Sequence, residues 1–348
     1  MIPVRNVFHM LSYTFRSLQA RGWRDVATED FDNVADLCCA ILCRGMSSQL
    51  RRGLWREYAP SEGELSTVRG RIDVTASIKG RSLSRRQLVC EYDEFSVDSR
   101  LNRIVKATLK ALLRSADLAV ERMRDARKVL SYLGEVSDVP LHDIDWNVRY
   151  DRNNQEYRML LGICRLVCEG LLQTQEDGGV RVLDVFDEQR MSRLYEKFVL
   201  EYYRREHPAL GAAASQIPWA LDDGVGDMLP TMQSDISLSS GAHALIIDAK
   251  YYGHATQSRF GARTIHSANL YQIFTYVKNR QEALGAGHDV SGMLLYARTD
   301  EDVQPSGSYL MSGNRIEVRT LDLDREFAEI AATLDGIAED HFAKKGES

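Results

Sequence analysis

The 348-residue sequence has no apolar run long enough to cross a membrane, which takes about 20 consecutive residues. Its first residues, Met1 to Asn6, do not form a cationic segment followed by an apolar block, so we expect no secretory signal. The 7 prolines and 24 glycines are too few for a fibrous or disordered chain. We therefore expect a soluble, globular, cytoplasmic protein with no membrane segment.

Cysteines are few, and their spacing argues against zinc and disulfides. None of the 6 cysteines forms a CxxC pair, and no histidine stands at zinc-ligand spacing from any of them. Cys39 and Cys43 are four positions apart in an apolar helical pattern, and so are Cys164 and Cys168. We expect buried, reduced thiols that pack as small apolar side chains.

Positive charge is also in short supply, with 44 Lys and Arg against 50 Asp and Glu and a net charge of −6. A protein that binds nucleic acid by itself is normally basic. The segment 44–86 is an exception, because it contains ten basic and four acidic residues. This segment is either a contact surface or a solvated face. If the chain acts on DNA, we expect a partner to supply much of the affinity.

The first half mixes helical and strand patterns. Strand and turn patterns fill 54–95, where glycines separate short alternating stretches. Helical periodicity predicts helices over 4–19, 31–50, 98–113 and 117–133. The loop-like stretch 135–154 suggests a boundary near residue 150. We therefore predict an α+β N-terminal domain over 1–150 and a second domain over 151–348.

The second half alternates helices and strands in an α/β order, which predicts a mixed sheet flanked by helices. The helix patterns cover 188–205, 267–283 and 325–342. The strand patterns cover 216–221, 229–238, 243–252, 291–297 and 314–321.

Two acids and a lysine follow strand spacing in this half. Side chains of a strand alternate between faces, so Asp248 and Lys250 should project to the same side. Asp235 lies towards the end of the preceding strand, and a hairpin around 239–241 would bring it beside them. Carboxylate oxygens are the ligands that Mg²⁺ prefers, and a nearby lysine can orient a water and offset charge on a phosphate. The alternative interpretation is a strand-end ion pair, with Asp235 as a turn acid.

Three further polar residues accompany this pattern. Glu196 lies just off the apolar stripe of the helix over 188–205, where it could reach the same sheet edge. Gln272 and Tyr276 are four positions apart on the helix over 267–283, so they share one face. A helix acid, Asp, Asp-x-Lys and Gln-x-x-x-Tyr, in this order, resemble a PD-(D/E)xK nuclease of the RecB-like branch. We therefore predict a PD-(D/E)xK restriction-endonuclease-like fold for the C-terminal half.

Several blocks along the chain resemble one protein family. The start, Ile2–Tyr13, is similar to the N-terminal signature of McrC, the nuclease subunit of 5-methylcytosine-specific McrBC restriction systems. His9 and Ser234 depart mildly from the family pattern, in which an aromatic residue and a threonine are usual. The other blocks that resemble this family are Arg51–Leu54, Gly70–Ile72, Asn102–Lys106, Asp248–Tyr252 and His266–Gln272.

The resemblance implies a function for each half. The N-terminal half would dock into a ring of McrB, an AAA+ GTPase that reads and translocates DNA, and would stimulate hydrolysis of the GTP that this partner binds. The C-terminal half would cut double-stranded DNA as a Mg²⁺-dependent endodeoxyribonuclease, active only with the GTPase. Asp235 and Asp248 would bind the metal and Lys250 would position the water. Gln272 and Tyr276 would support the site or the DNA backbone.

Other interpretations stay open. Glu196 is either a further ligand or a supporting acid, and a self-dimer through the nuclease half is a further expectation. A non-catalytic subunit that bridges and activates the GTPase would have the same fold, and a stand-alone RecB-like nuclease would cut without a GTPase. Basic residues within 44–86 are candidates for ring contacts. Arg5 and Asn6 fit better as helix-start and packing residues, and His266 as an exposed or capping residue than as a phosphate contact.

Overall fold

The computed structural model describes residues 2–19, 31–115, 117–176, 188–253, 257–259 and 262–342, together with residues 23, 26 and 29. The chain divides into two compact units. The discontinuous unit combines Met1–Phe31 with Phe186–Ser348, and the inserted unit is Asp32–Val185. The division therefore differs from the predicted boundary at residue 150. The N-terminal segment groups with the C-terminal part of the chain, and the stretch after residue 150 groups with the inserted unit.

The first helix, α1 (Val4–Thr14), explains why the N-terminus belongs to the discontinuous unit. The buried amide of Asn6 donates hydrogen bonds of 2.8 Å to the carbonyl oxygens of Leu323 and Arg325, 317 and 319 positions along the chain. Local periodicity predicts a helix here, but it carries no information about which distant segment covers that helix. This is the physical reason why the predicted boundary and the observed one differ.

The inserted unit combines helices with a small antiparallel sheet, so its α+β class agrees with the prediction for the N-terminal half. Its helices are α2 (Val34–Arg52), α3 (Val74–Lys79), α4 (Arg100–Ser115), α5 (Val120–Ser131) and α6 (Gln155–Glu176). Its strands are β1 (Glu57–Leu65), β2 (Arg71–Ile72) and β3 (Leu88–Ser96), in the order β1-β3-β2.

Two of the blocks that resemble the McrC family have structural roles in this unit. Gly70 has a φ of +66°, and a Cβ there would lie 2.2 Å from the carbonyl oxygen of Glu91, so only glycine fits at this position, just before β2 and against β3. The buried amide of Asn102 donates to the carbonyl oxygens of Trp55 at 2.9 Å and Val97 at 2.8 Å. Asn102 therefore joins α4 to the chain just before β1 and just after β3.

The discontinuous unit adds three long helices and a set of strands to α1. The helices are α7 (Glu188–Glu206), α8 (Ser267–Leu284) and α9 (Phe327–Phe342). The short strands are β4 (Gln216–Ile217), β5 (Met232–Gln233), β6 (Ile236–Ser240), β8 (Gln257–Arg259), β9 (Ala262–Thr264) and β11 (Gly307–Met311). The longer strands are β7 (His243–Lys250), β10 (Asp289–Ala297) and β12 (Asn314–Leu321).

The main sheet of this unit has the order β11-β12-β10-β7-β6. β7, β10 and β12 are parallel, whereas β6 and β11 are antiparallel to their neighbours, so the predicted mixed α/β sheet is confirmed. α8 covers one face, where Ile273 and Val277 pack with Ile246 and Leu294 of the sheet. α7 and α9 also contact β7. Within the described ranges, no helix is long and apolar enough to span a membrane.

Candidate active site

Asp235 and Asp248 meet because β6 and β7 form a hairpin. Ile236, the first residue of β6, pairs with Ile247, so Asp235 lies next to Asp248 across the two strands. One carboxylate oxygen of Asp235 accepts a hydrogen bond of 2.9 Å from the backbone N–H of Ala249. Each carboxyl group affects the pKa of the other, as expected for neighbours across a hairpin. The hairpin therefore brings together the half-buried Asp235 and the buried Asp248, which are 13 positions apart in the sequence.

Lys250 connects these acids to α8. Its Nζ lies 2.8 Å from Oδ2 of Asp248 and donates to Oε1 of Gln272 at 3.3 Å. The amide of Gln272 in turn donates to the hydroxyl of Tyr276 at 2.9 Å. Five of the six predicted site residues therefore form one continuous set of polar contacts, which runs from the β6–β7 hairpin to α8.

A glycine in the neighbouring strand allows α8 to come this close. A Cβ at Gly292 of β10 would lie 2.7 Å from Cγ2 of Val277 and 2.9 Å from Cγ1 of Ile273, both on α8. Such contacts are shorter than van der Waals packing allows, so a larger residue would move the helix or the strand. The absence of a side chain at Gly292 thus contributes to the short distance between Gln272 and Lys250.

Burial controls the protonation of the site. It raises the pKa of Asp248 to about 7, against the effect of the Lys250 ammonium, and the charge of Asp235 adds to the rise. Burial also raises the pKa of Asp235, although the N–H of Ala249 acts to lower it. Burial alone would lower the pKa of Lys250, but Asp248, Asp235 and Tyr252 together outweigh this effect, and the pKa lies above its ordinary value. Lys250 is therefore charged at neutral pH.

The donor set fits a hard divalent cation. The raised pKa of both carboxyl groups indicates that one lysine does not compensate the two carboxylates. A Mg²⁺ ion would supply that missing charge, and such an ion needs only one or two protein carboxylates because water and phosphate oxygens complete its shell. Asp235 and Asp248 are the residues that could hold it.

Glu196, the sixth predicted residue, lies on α7. Burial raises its pKa, and the negative charge of Asp235 adds to that rise, so Glu196 is within electrostatic reach of the site. Its Oε1 accepts a hydrogen bond of 3.0 Å from the hydroxyl of Ser192. In the part of the chain that the structure describes, no three acidic, histidine or cysteine side chains are grouped closely enough to hold a metal. A role for Glu196 as a third ligand stays a prediction.

Sequence reasoning missed three residues beside Lys250. Asn269, in the first turn of α8, accepts a hydrogen bond of 3.3 Å from the hydroxyl of Tyr252 and donates one of 2.9 Å to the hydroxyl of Tyr296. Asn269 stands three positions before Gln272 and seven before Tyr276, the spacing of one helix face, so this signal was available. The position of Tyr296 depends on strand register and could not be read from local spacing.

The remaining predicted residues have other roles. Asn6 is buried and bonded to backbone, which agrees with its predicted packing role, and the exposed Arg5 lies 3.6 Å from Glu326. His266 occupies the position before the first residue of α8, but its side chain makes no capping hydrogen bond. Its ring centroid lies 5.6 Å from that of Tyr252.

The inserted unit carries a different kind of surface. Tyr58 of β1 and Phe95 of β3 pair directly across the sheet, with ring centroids 5.0 Å apart, and both rings are exposed. We call them the aromatic pair. Several arginines of the basic segment contact neighbours within the unit: Arg85 binds Glu64 at 2.5 Å, and Arg69 lies over the ring of Tyr92. Other exposed apolar side chains of this region are Val68, Ile72, Val74, Ile78 and Leu83.

Comparisons with known proteins point in one direction. A family model described as McrBC 5-methylcytosine restriction system component matches residues 4–297. The chain is 29% identical over 331 residues to the type IV methyl-directed restriction enzyme EcoKMcrBC of Escherichia coli K12, covering 94% of each. A solved chain in a half-complex of Thermococcus gammatolerans McrB AAA+ hexamers with bound McrC aligns at a TM-score of 0.52 and 16% identity. That alignment covers 96% of this chain and 76% of the solved one, and it shows a shared fold.

Proposed function

This chain belongs to the family of McrBC 5-methylcytosine restriction system components, and we propose that it is the DNA-cleaving subunit of such a system. The observation that carries the proposal is the contact set formed by Asp235, Asp248 and Lys250 at the β6–β7 hairpin. With Gln272 and Tyr276 on the following helix, this set has the order and partners of a PD-(D/E)xK nuclease site. We propose that fold for the discontinuous unit.

Asp235 and Asp248 would hold Mg²⁺ through their carboxylate oxygens. The bound metal would supply Lewis-acid activation of a phosphodiester and of the attacking water. The N–H of Ala249 fixes one oxygen of Asp235, so this carboxylate is oriented before any ligand arrives. Glu196 would add negative charge on the α7 side of the site, as a further ligand or as a supporting acid.

Lys250 would act on the reacting phosphodiester itself. Its ammonium is held by Asp248 and Gln272, and Tyr276 holds Gln272, so the cation is preorganised within the protein. A fixed cation in a water-poor site can orient a water and stabilise the charge that develops on the phosphate. Loss of such a group affects the transition state more than the ground state.

The partner we propose is an McrB-type AAA+ GTPase that binds the GTP. The similar solved chain comes from an assembly of McrB AAA+ hexamers with bound McrC. In the protein described here, the exposed aromatic pair, Tyr58 and Phe95, is the type of surface that protein partners cover. We propose that the inserted unit, rather than residues 1–150, makes this contact.

The proposed substrate is double-stranded DNA that carries 5-methylcytosine. With a net charge of −6, the chain is not suited to hold DNA alone, and we propose that its partner recognises the modified base. A cytoplasmic location, where such DNA would be met, is part of the same proposal. A self-dimer through the discontinuous unit would place two cutting sites on one assembly.

The test uses the full chain with its McrB-type GTPase, GTP, Mg²⁺ and a cytosine-methylated plasmid. Asp248→Ala should abolish cleavage, because it removes a metal ligand, and should leave stimulation of the GTPase near the wild-type level. Wild-type cleavage that needs no GTPase would support a stand-alone nuclease instead. GTPase stimulation without any cleavage by the wild type would support a non-catalytic bridging subunit.

A further inference from the structure

Two tyrosine hydroxyls lie on the same side of the sheet as Lys250, and both are bound by one amide. We infer that Asn269 is a positioning residue for Lys250, which holds the hydroxyls of Tyr252 and Tyr296 and so keeps them away from the lysine ammonium. This inference rests on the proposed nuclease function and adds a residue to that site.

The geometry around Asn269 is specific. Its side chain is buried, its carbonyl oxygen accepts from Tyr252 at 3.3 Å, and its NH₂ group donates to Tyr296 at 2.9 Å. The two ends of one carboxamide therefore each hold a phenol. Along α8, Asn269 and Gln272 lie on the same face. One amide holds the two phenols, and the next holds Lys250.

Tyr296 is the phenol that can compete for the lysine. It pairs with Lys250 in the register of the parallel strands β10 and β7, so the two side chains leave the sheet on the same face. Burial raises the pKa of Tyr296, and the positive charge of Lys250 acts against that rise, so the two groups are within electrostatic reach. Tyr296 is fully buried, so its hydroxyl cannot form a hydrogen bond to solvent instead.

The hydroxyl of Tyr296 would compete with water or phosphate for one of the three ammonium protons of Lys250. An ammonium group donates three hydrogen bonds. Among the described residues, the contacts of Lys250 are Asp248 at 2.8 Å and Gln272 at 3.3 Å. The third proton is the one that could reach a water or a phosphate oxygen. A buried phenol oxygen without a hydrogen-bond partner costs free energy, so after the loss of Asn269 the hydroxyl of Tyr296 would accept a hydrogen bond from Lys250.

The experiment measures single-turnover cleavage of methylated plasmid by the full chain with its GTPase, GTP and saturating Mg²⁺. Asn269→Ala should lower the maximal rate about 10-fold, because a mispositioned group reduces the rate without changing binding. The KM for DNA should be unchanged. Mg²⁺ affinity, measured by calorimetry without DNA, should also be unchanged, because both aspartates remain.

A second substitution separates competition from simple structural damage. In Asn269→Ala combined with Tyr296→Phe, the competing oxygen is gone, so the rate should return to within about threefold of the wild type. Tyr252 is only half-buried and can bond to water in both variants. If Asn269→Ala does not fold, Asn269→Ser, which keeps a small polar side chain but no carboxamide, replaces it in the single and double variants.

The matched control is Asn279→Ala on the same helix. The side chain of Asn279 also makes two hydrogen bonds, with the backbone of Thr275 and Ala220, and neither of these partners belongs to the site. Its loss should leave the cleavage rate near the wild type. The inference is wrong if Asn269→Ala cuts at the wild-type rate, if the double variant is slower than the single one, or if Asn279→Ala is equally slow. If the wild type does not cut, or Lys250→Ala cuts normally, the proposed function itself fails.

Discussion

The two units of the chain differ in the energetically unfavourable feature that each contains, which is buried charge in one and exposed apolar surface in the other. In the discontinuous unit, charge is buried: Asp248 is 1% exposed, lies 2.8 Å from Lys250 and lies beside Asp235 across the β6–β7 hairpin. In the inserted unit, apolar surface is exposed: Tyr58 is 74% exposed and Phe95 50% exposed. Burying charge and exposing large aromatic rings both cost free energy.

Each cost points to a different use. A largely buried cluster of two acids and one lysine has uncompensated negative charge, which a bound cation would offset, so it suits a reaction site. Exposed aromatic rings become favourable when another protein covers them, which suits docking. The contrast indicates that this chain separates chemistry from recognition, and substitutions in either unit can test that separation.

The largest effect should follow from Lys250→Ala. Removal of a preorganised cation should slow cleavage by roughly 10²–10³-fold or more. Mg²⁺ binding should survive or strengthen, because a positive neighbour of the metal ligands is gone. Asp235→Asn and Asp248→Asn should instead weaken Mg²⁺ affinity as well as rate. The measurement is cleavage rate against Mg²⁺ concentration, with the GTPase and GTP present.

The control for this lysine is Lys278→Ala on α8. Lys278 donates hydrogen bonds of 2.9 Å to Ser312 and Asn314, away from the acids, so its loss should not slow the chemical step. Wild-type cleavage by Lys250→Ala would return Asp248 and Lys250 to the alternative interpretation of a structural ion pair.

The docking role of the inserted unit can be tested on the aromatic pair. Replacing both Tyr58 and Phe95 by serine should weaken binding of the GTPase about 10-fold or more, since large aromatic residues dominate interface energy. Stimulation of GTP hydrolysis should fall in parallel, and the cleavage rate at saturating partner should remain. Tyr132→Ser, an exposed tyrosine of the same unit, is the matched control. Equal losses for the control would mean that exposure alone does not mark the docking surface.

A smaller effect should follow from Gly292→Ala. The added methyl group meets Val277 and Ile273 of α8, so we expect a loss of about 1–3 kcal/mol in the free energy of unfolding. A slower cleavage rate should accompany it, because Gln272 would move away from Lys250. Gly287→Ala, which meets no atom within 4 Å, should change neither quantity. Cleavage that is unaffected in a destabilised Gly292→Ala protein would separate helix packing from the site.

Local patterns predicted the core of the site because they depend on short spacing. Strand alternation put Asp248 and Lys250 on one face, and helix spacing put Gln272 and Tyr276 on one face. The structure brings these residues together. A hairpin turn was the only further element needed to add Asp235. Their chemical roles stay predictions until the variants are measured.

Contacts between segments that are distant in sequence could not be predicted from local patterns. α1 has the pattern of an ordinary amphipathic helix. Its place in the discontinuous unit depends on the hydrogen bonds of Asn6 to the backbone of Leu323 and Arg325, 317 and 319 positions along the chain. β11 (Gly307–Met311) was missed because this edge strand has three exposed residues in succession and no apolar alternation. Tyr296 joined the site only through the register of β10 with β7. The register between strands that are distant in sequence, such as β7 and β10, and the grouping of α1 with the C-terminal part of the chain depend on the whole fold and not on local spacing.

The smallest effect concerns pH and stability without metal. The pKa of Asp248 in the folded protein is raised to about 7, from an ordinary value of about 3.9, so the folded state binds more protons than the unfolded state between these values. This group's contribution to stability is therefore fully present below about pH 4 and is lost as the pH rises through about 7. Asp248→Asn lacks this titration. Between about pH 5 and pH 8, the unfolding midpoint of the metal-free wild type should therefore fall by a few degrees relative to that of the variant.

Adding Mg²⁺ should raise the wild-type unfolding midpoint more at about pH 8 than at about pH 6, because at the lower pH metal binding must displace the proton on Asp248. A wild-type midpoint that tracks Asp248→Asn across this range, with and without Mg²⁺, would show that the buried acids are already compensated and would remove the contrast with the inserted unit.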